Sequence, residues 1–358
     1  MRQVTRTSAR SKGVPVGRSD AVYVGLDVHK RSIHAAVRVN GREVETGVLP
    51  ARADAVLAFL KPYRLGLKRV VYEAGPTGYS LVRGLRRAGL AADVVAPSKT
   101  PRTPGVGSKS DRLDCRALAR FDEAGLLKTV AVPTVEEEAD RQVVRLRDQV
   151  VDKRRRVKQQ IKSFLLQHGL EEPPGLSTWT RASVAALARM TTSATLRFCL
   201  DMLLRDLANL EAMLVEVNRA VRRLSQTRRH ARRVARLRKE RGVGPVTAMA
   251  FVTEVYQPER FANPCEVAAY VGLAPRVRQS GERRRDGPLL KAGRGRLRAT
   301  LVEASWVRIG HDPVANATYR RLVHNTGCPN KAIVGVARHL AIRLWRLLTG
   351  AQPDAPAA

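Results

Sequence analysis

The order of apolar segments between residues 22 and 121 limits the possible folds more than any other feature of this chain. Five short apolar runs have the length of strands: 22–28, 32–40, 42–49, 69–73 and 92–96. Three segments instead repeat apolar residues at helical spacing: 51–63, 77–88 and the segment that begins near Asp111. Because Asn40-Gly41 is a typical two-residue hairpin turn, the second and third strands should pair. The predicted order is β-β-β-α-β-α-β-α.

This order predicts an α/β fold of the ribonuclease-H-like kind. We expect the first strand in the centre of the sheet, the fourth strand beside it, and the last helix packed over both. The main alternative is a doubly wound nucleotide-binding fold, which needs a Gly-rich turn after its first strand. Residues 27–31 read Asp-Val-His-Lys-Arg and contain no Gly, so this alternative is disfavoured.

Four carboxylates stand where these elements end or begin. One ends the first strand, one ends the fourth, and two lie three residues apart at the start of the last helix, which Ser108 or Ser110 can cap: Asp27, Glu73, Asp111 and Asp114. Taken singly, each acid is more often a solvated or helix-start charge. Their joint position predicts a site for Mg²⁺ or Mn²⁺, which prefer hard oxygen ligands.

The charge balance predicts a polyanionic partner. The chain holds 65 Lys and Arg against 32 Asp and Glu, for a net charge of +33 and a pI of about 11.3. This surplus favours nucleic acid, and because aromatic residues make up only 4%, Arg–phosphate contacts should outweigh base stacking. The four cysteines are far apart in sequence, which disfavours a zinc ribbon and favours a reducing cytoplasm. No apolar run approaches the ~18 residues of a membrane span, so no membrane contact is expected.

Shifts in composition predict five segments. They are a disordered basic arm at 1–20, a catalytic domain at 21–135, a linker of long helices at 136–235, a mainly helical domain at 236–350 and a disordered tail at 351–358. Within the linker, helical spacing runs over 141–167 and again over about 196–237. These stretches should form two long antiparallel helices, with pairing across a dimer left open.

Basic residues gather in several places that predict contacts with a phosphate backbone. The helical block 219–241 includes Arg228, Arg229, Arg232 and Arg233, although a charged run is often only a solvated helix face. Gly242 and Gly244, at a predicted helix start, would let backbone amides approach a phosphate, although an ordinary tight turn explains them equally well. Lys109 and Arg112 flank the acidic pair at residues 111 and 114.

Ser280 lies in the most basic part of the last domain. It is surrounded in sequence by Arg276, Arg278, Arg283, Arg284, Arg285, Lys291 and Arg294. A lone Ser before Gly is most often a turn residue. Guanidinium groups on every side could instead activate its hydroxyl and hold a scissile phosphate.

Six short motifs, in this order, resemble one family over about residues 22–348. They are Gly25-Leu26-Asp27-Val28-His29-Lys30, Tyr72-Glu73-Ala74-Gly75-Pro76-Thr77-Gly78, Lys109-Ser110-Asp111-Arg112-Leu113-Asp114, Gly242-x-Gly244-Pro245-x-Thr247-Ala248, Tyr270-Val271-Gly272-Leu273-Ala274-Pro275 and Gln279-Ser280-Gly281. Together they resemble the Asp-Glu-Asp-Asp (DEDD) transposases of the insertion-sequence family numbered one hundred and ten. Two departures affect the serine region: Gln279 stands where the family often has a second Ser, and 287–291 is less Gly-rich than usual.

The resemblance implies a RuvC-like domain, a coiled-coil linker and a C-terminal transposase domain in a bacterial, nucleoid-associated protein. It places the family's metal-binding acids on Asp27, Glu73, Asp111 and Asp114, and its catalytic serine on Ser280. It also implies recombination of donor and target double-stranded DNA, guided by a structured RNA from the element. The family's homodimers assemble into homotetramers, in which the acidic site of one subunit is completed by the serine of another.

Two other functions stay open from the residues alone. A nuclease related to Holliday-junction resolvases would use water in place of Ser280. A non-catalytic nucleic-acid-binding scaffold would use the acids only to cap elements. A proofreading-type exonuclease is disfavoured, because its first strand carries an Asp-x-Glu pair and residue 29 here is His.

Overall fold

The computed structural model describes residues 16–97, 100–101, 111–280, 283–289 and 293–350, without the side chains of 111–114, 277–280, 283–286 and 288. The chain divides into two compact units, one ending at Pro133 and the other beginning at Thr134. Among the described residues, no helix combines the length and the apolar character needed to cross a bilayer.

The first unit is built on a six-stranded mixed sheet. Its strands are β1 Val22–Val28, β2 Ser32–Val39, β3 Arg42–Pro50, β4 Leu67–Glu73, β5 Ala92–Val95 and β6 Thr129–Val130, in the order β3-β2-β1-β4-β5-β6. β1 pairs antiparallel with β2 and parallel with β4, so the first and fourth strands are neighbours, as the sequence predicted. The two-residue strand β6 was not predicted. A mixed α/β unit is thus confirmed, whereas its assignment to the ribonuclease-H-like group stays a prediction.

Helices cover both faces of this sheet. They are α1 Ala53–Leu60, α2 Ser80–Arg87 and α3 Asp111–Glu123. Leu26 and Tyr72 belong to the apolar cluster that also contains residues of α1 and α2. Val71 belongs instead to a smaller cluster with Leu118 of α3. Because side chains alternate between the faces of a strand, α3 lies on the opposite face of the sheet from α1 and α2.

The second unit consists of nine described helices and one two-stranded hairpin. They are α4 Val135–Gln167, α5 Arg181–Arg189, α6 Ala194–Ser225, α7 Ala231–Leu237, α8 Pro245–Glu254, α9 Pro264–Tyr270, the strands β7 Pro275–Ser280 and β8 Arg283–Leu289, α10 Gly295–Ile309, α11 Pro313–Thr326 and α12 Pro329–Thr349. The long helices α4 and α6 pack along each other over a buried apolar cluster that includes Val150, Val157 and Leu207.

The prediction of one continuous second long helix is wrong. The expected continuous stretch from 196 to 237 is divided into α6 and α7, because Ser225 Oγ and Thr227 Oγ1 donate to carbonyls three residues back and the chain turns. His230 Nε2 then lies 2.8 Å from Asp140 Oδ2, which fixes the turn against α4. The first long helix also begins at Val135 rather than 141.

A second apolar cluster joins the long helices to the last part of the chain. Val144 of α4 and Val221 of α6 are buried with Phe251, Leu301 and Leu344. The long helices therefore share a core with the C-terminal helices inside one compact unit. The division into a coiled-coil linker and a separate C-terminal domain stays a prediction.

Candidate active site

Asp27 is the second-to-last residue of β1, and Glu73 is the last residue of β4, the parallel neighbour of β1. The register of β1 and β4 pairs Gly25 with Val71 and Leu26 with Tyr72. Asp27 and Glu73 are the next residue on each strand, so they lie side by side at the carboxyl edge of the sheet. Glu73 is exposed, and the Asp27 side chain retains 22% of its accessible surface.

Both carboxylates belong to the face of the sheet that α3 covers. Residues two apart on a strand share a face, so Asp27 lies on the side of Gly25 and Glu73 on the side of Val71. Val71 packs with Leu118, and a Cβ on Gly25 would stand 3.0 Å from Leu118 Cβ. The two strand-end acids therefore face the helix that begins with Asp111.

The direction of α3 follows from contacts at its other end. Asp122 is hydrogen-bonded to Arg69 near the start of β4, and Glu123 Oε2 accepts a 2.7 Å hydrogen bond from Arg38 Nε. Cys115 is nearer the start of the helix. Its pKa is raised to about 12, mainly by burial and secondly by the negative charge of Asp27. α3 thus runs antiparallel to β1, and its first turn lies at the strand end that carries Asp27.

Asp111 and Asp114 occupy that first turn. Asp111 is four residues before Cys115, and Asp114 is four residues before Leu118. Because Cys115 and Leu118 are both buried on the side of the sheet, the two Asp positions lie on that side of α3 as well. One turn of helix places Asp111 about 6 Å before Cys115 along the axis. Their side chains, that of Arg112 and all of Lys109 lie outside the described residues. The backbone brings the four positions to one edge, and their use as a ligand set stays a prediction.

Two histidines that the sequence analysis did not predict as site residues also lie at this edge of the sheet. His29 Nε2 lies 3.1 Å from Asp27 Oδ2. His34 is paired directly with Asp27 in the β1–β2 register and therefore shares its face. The two imidazole rings meet edge to face at 6.0 Å, and His34 Nδ1 is buried without a hydrogen-bond partner among the residues that the structure describes. Only the cross-strand register reveals His34, because it is seven residues from Asp27 in sequence.

The described carboxylates at this edge are of the chemical type that a divalent ion prefers. Carboxylate oxygens are the ligands that Mg²⁺ and Mn²⁺ prefer, and Asp27 and Glu73 present two from adjacent strands. Among the side chains that the structure describes, no three of His, Cys, Asp or Glu are grouped closely enough to hold a metal. Asp111 and Asp114 are outside that set.

Ser280 lies in the two-stranded hairpin of the second unit. It is the last residue of β7 and pairs with Arg283, while Arg278 pairs with Arg285. Directly opposed residues share a face, so these three Arg positions lie on the face of Ser280, and Arg284 lies on the other. Arg276 is exposed in a register shift at the start of β7. Lys291 lies outside the described residues.

The base of this hairpin is a close backbone crossing. A Cβ on Gly293 would stand 2.7 Å from the amide nitrogen of Gly272 and 2.8 Å from the carbonyl oxygen of Tyr270. Both glycines have positive φ, and Arg294 N donates a 3.1 Å hydrogen bond to the same Tyr270 oxygen. Only glycine fits at this crossing, so the two ends of the hairpin are fixed together.

A buried carboxylate ties the crossing to the helices behind it. Glu254, at the end of α8, accepts hydrogen bonds of 2.8 and 3.1 Å from Arg145 of α4. Its Oε2 also lies 3.3 Å from Arg294 Nε, and its backbone oxygen accepts a 2.9 Å hydrogen bond from the Tyr270 hydroxyl. Arg294, predicted to contact nucleic acid, is therefore an ion-pair partner of Glu254 in this structure.

The two glycines of the Gly-x-Gly motif have different surroundings. Gly242 has a φ of +81°, and a Cβ there would overlap the carbonyl oxygen of Ala304 and stand 3.0 Å from Arg308 N, so packing against α10 requires glycine. Gly244 is exposed at the N-cap of α8, with nothing within 4 Å of a built Cβ. Of the two, only Gly244 leaves room for a phosphate.

The four predicted arginines around α7 also divide. Arg229 Nη1 lies 2.7 Å from Asp140 Oδ2, and Arg233 Nη1 lies 3.4 Å from the Tyr256 carbonyl oxygen. Arg228 and Arg232 are exposed and make no ion pair within the described part of the chain. The second pair is thus available to a phosphate, whereas the first pair has structural contacts.

Comparison with known proteins gives matches over both compact units. A family model described as "Transposase" (DEDD_Tnp_IS110) matches residues 24–169, and one described as "Transposase IS116/IS110/IS902 family" matches residues 234–320. The Sinorhizobium fredii protein y4qE, which is named as a transposase, is 35% identical over 289 residues, covering 79% of this chain and 71% of that protein. The transposase for insertion sequence element IS1533 of Leptospira borgpetersenii is 26% identical over 93% of this chain and 97% of its own length. The transposase for insertion sequence element IS1111A of Coxiella burnetii is 25% identical over 78% and 77%.

Proposed function

This chain belongs to the IS116/IS110/IS902 family of transposases, enzymes that cleave and join DNA, and from that premise we propose that it is an RNA-guided, metal-dependent recombinase with Ser280 as its nucleophile. The observation that supports the proposal best is the meeting of Asp27, Glu73 and the first turn of α3 at one sheet edge. The basic serine hairpin supports the second part.

The acidic edge would act on the scissile phosphate. Transposase domains of the DEDD kind typically use divalent metal ions. Asp27, Glu73, Asp111 and Asp114 would hold Mg²⁺ or Mn²⁺, which supplies charge stabilisation at the phosphate and its leaving oxygen. His29 restrains one oxygen of Asp27, so that carboxylate already has a preferred orientation.

Ser280 would form the covalent intermediate. Its Oγ attacks the phosphorus as the bond to the leaving sugar oxygen breaks, and the hydroxyl proton passes to that oxygen. One phosphoester bond forms as another breaks, so the number of such bonds is unchanged. The hydroxyl of a new strand end can therefore attack the phosphoserine, release Ser280 and join the two strands. The Arg positions on the Ser280 face of the hairpin would offset the negative charge of the phosphate.

Sequence choice would come from base pairing with a structured RNA, while the protein contacts the backbones of RNA, donor DNA and target DNA. The net charge of +33 supports this division, because Arg and Lys contacts with phosphates carry little sequence information. The active assembly would be a homodimer that forms a homotetramer. Sequencing the RNA that co-purifies with the protein from its host tests the guide: an RNA encoded beside the gene is expected, and an unrelated mixture would contradict it.

The covalent intermediate is tested by trapping protein on labelled DNA and separating it on a denaturing gel. Wild type with Mg²⁺ should give an adduct, whereas Ser280→Ala and Asp27→Asn should each give none and still bind DNA. Mixed Ser280→Ala and Asp27→Asn subunits should recover part of the adduct if serine and acids act from different subunits. Cleavage without any adduct would favour the water-using nuclease, and binding without metal-dependent cleavage would favour the scaffold.

A further inference from the structure

Three cations of α4 lie along one flank of the helix. Arg147, Arg154 and Lys158 are seven and four residues apart, which returns each to the same side after whole turns of helix. They span about 16 Å of the helix axis at a rise of about 1.5 Å per residue. We call these three residues the cation track.

The cation track is only partly neutralised. Arg147 Nε donates a 2.8 Å hydrogen bond to Asn218 Oδ1 of α6, and its nearest carboxylate, Asp148, is 3.8 Å away. Lys158 Nζ is 3.9 Å from Glu211 Oε1, which is too far for a hydrogen bond. Arg154, between them, makes no ion pair or hydrogen bond with any residue that the structure describes.

The three cations are also partly buried, which makes this arrangement costly. The Arg147 and Lys158 side chains keep 24% and 20% of their accessible surface. Burial lowers the pKa of both groups, and the charge of Arg154 lowers both further, although Asp148 and Glu211 act in the opposite direction. A solvated helix face would show neither effect, because exposed cations keep their water.

One strained residue holds the end of the cation track. The Lys158 ammonium lies 4.8 Å from the ring centroid of Trp179, whose φ of +57° is rare for a large side chain. The ring is half-buried against the α4–α6 core. Strain of this kind persists where the surrounding structure enforces it, and it is common at ligand sites. Here it keeps Lys158 in place beside Arg154.

A ligand that offsets three aligned positive charges must carry several negative charges along a line. Nucleic acids do so, since each strand of a duplex presents one phosphate per about 3.4 Å of axis. We propose that the cation track binds the sugar-phosphate backbone of a nucleic-acid strand, with Arg154 as its central contact. The inference rests only on the nucleic-acid binding in the proposed function, and requires neither the metal nor Ser280.

The same helix offers a matched control. Lys153 and Arg156 are exposed, and helix geometry places them about 100° and 160° around the axis from Arg154 and Lys158, respectively. Arg154→Gln/Lys158→Gln and Lys153→Gln/Arg156→Gln therefore remove the same charge from the same turns of α4. Both are made in the full chain.

The experiment measures affinity against salt concentration for a duplex DNA and for a single-stranded RNA of the same sequence. If the cation track contacts duplex DNA, Arg154→Gln/Lys158→Gln should lower the magnitude of the slope of log affinity against log salt by about 2, since each lost phosphate contact contributes about 0.9. If it contacts single-stranded RNA, the expected decrease is about 1.4, at about 0.7 per phosphate. The control variant should change either slope by less than half as much. The proposal would be overturned if both double variants lowered the salt slope equally, or if Arg154→Gln/Lys158→Gln left the slope unchanged.

Stability gives an independent readout. Because Arg154 has no described partner and repels its neighbours, Arg154→Gln should leave the Tm of the free protein unchanged or raise it. Arg154→Lys keeps the charge and should retain the salt slope. A clear fall in Tm for Arg154→Gln would show that the residue supports the fold, and would contradict a site kept for a ligand.

Discussion

A Cβ placed on Gly25 would overlap the carbonyl oxygen of Cys115, so the backbones of β1 and α3 touch directly at these two residues. The same atom would stand 2.6 Å from the amide nitrogen of Ala119. This contact fixes the position of α3 along β1. It therefore also fixes the first turn of α3, with Asp111 and Asp114, relative to Asp27.

Gly25→Ala should accordingly displace α3 from the sheet. We expect a loss of stability of about 2 kcal/mol, within the range for an added methyl in a packed core. Metal-dependent cleavage should fall further than DNA binding, because the acids move relative to one another while the basic residues do not. Thermal unfolding and a cleavage assay measure the two effects. Gly17→Ala is the control, since its built Cβ meets nothing closer than 3.7 Å; equal effects of both changes would refute the argument.

His29 should act by orienting Asp27. With Asp27 ionised, Nε2 is the donor in the 3.1 Å contact with Oδ2. His29→Ala should raise the Mg²⁺ concentration for half-maximal cleavage by about tenfold, the lower end for residues that hold a metal ligand. His29→Gln, which can still donate, should recover part of this loss. His324→Ala, on the exposed part of α11, is the control; an unchanged metal requirement in His29→Ala would rule out the orienting role.

The strands of the first unit could be predicted because local signals agree with the fold. Asn40 and Gly41 both have positive φ, as their hairpin turn requires, and Asp27 and Glu73 end buried runs. The capping box of Thr134 and Glu137 was equally visible in the sequence, and recognising it would have placed the start of α4 correctly. The strands β7 and β8 hold five Arg in thirteen residues and, besides proline, only Val277 and Leu289 as apolar residues, so the local apolar signal for a strand is weak. His34 and Glu254 depend on register and on packing between distant segments, which a single sequence does not give.

Tyr270 should support the serine hairpin through its hydroxyl. Tyr270→Phe removes the 2.9 Å hydrogen bond to the Glu254 backbone and should cost about 1 kcal/mol of stability. We expect slower adduct formation by Ser280 with unchanged DNA affinity, and faster trypsin cleavage at the Arg residues of 276–285. Tyr319→Phe is a matched control, because the Tyr319 hydroxyl has no hydrogen-bond partner among the described residues. Adduct formation at the wild-type rate in Tyr270→Phe would contradict the supporting role.

Asp148 should destabilise the fold at neutral pH. Burial raises its pKa above the ordinary 3.8, against the opposing effect of Arg147 and Arg296. The folded state therefore binds this proton more tightly than the unfolded state, and its contribution to stability grows as the pH falls toward 3.8. Asp148→Asn should raise the Tm at pH 7, and the difference should shrink near pH 4. Calorimetry at both pH values tests this; a lower Tm of the variant at pH 7 would mean that the attraction to Arg147 outweighs burial.

The arginines around α7 should separate into binding and structural pairs. Arg228 and Arg232 are exposed and four residues apart, so Arg228→Gln/Arg232→Gln should lower the salt slope of duplex binding by up to about 2 without changing the Tm. Arg229→Gln/Arg233→Gln removes the same charge but breaks the contacts with Asp140 and Tyr256, so the Tm should fall. Salt titrations and thermal unfolding of both double variants decide the matter. If the slope falls only when Arg229 and Arg233 are changed, nucleic acid displaces Asp140 and Tyr256 as partners, and the division argued from the free protein is wrong.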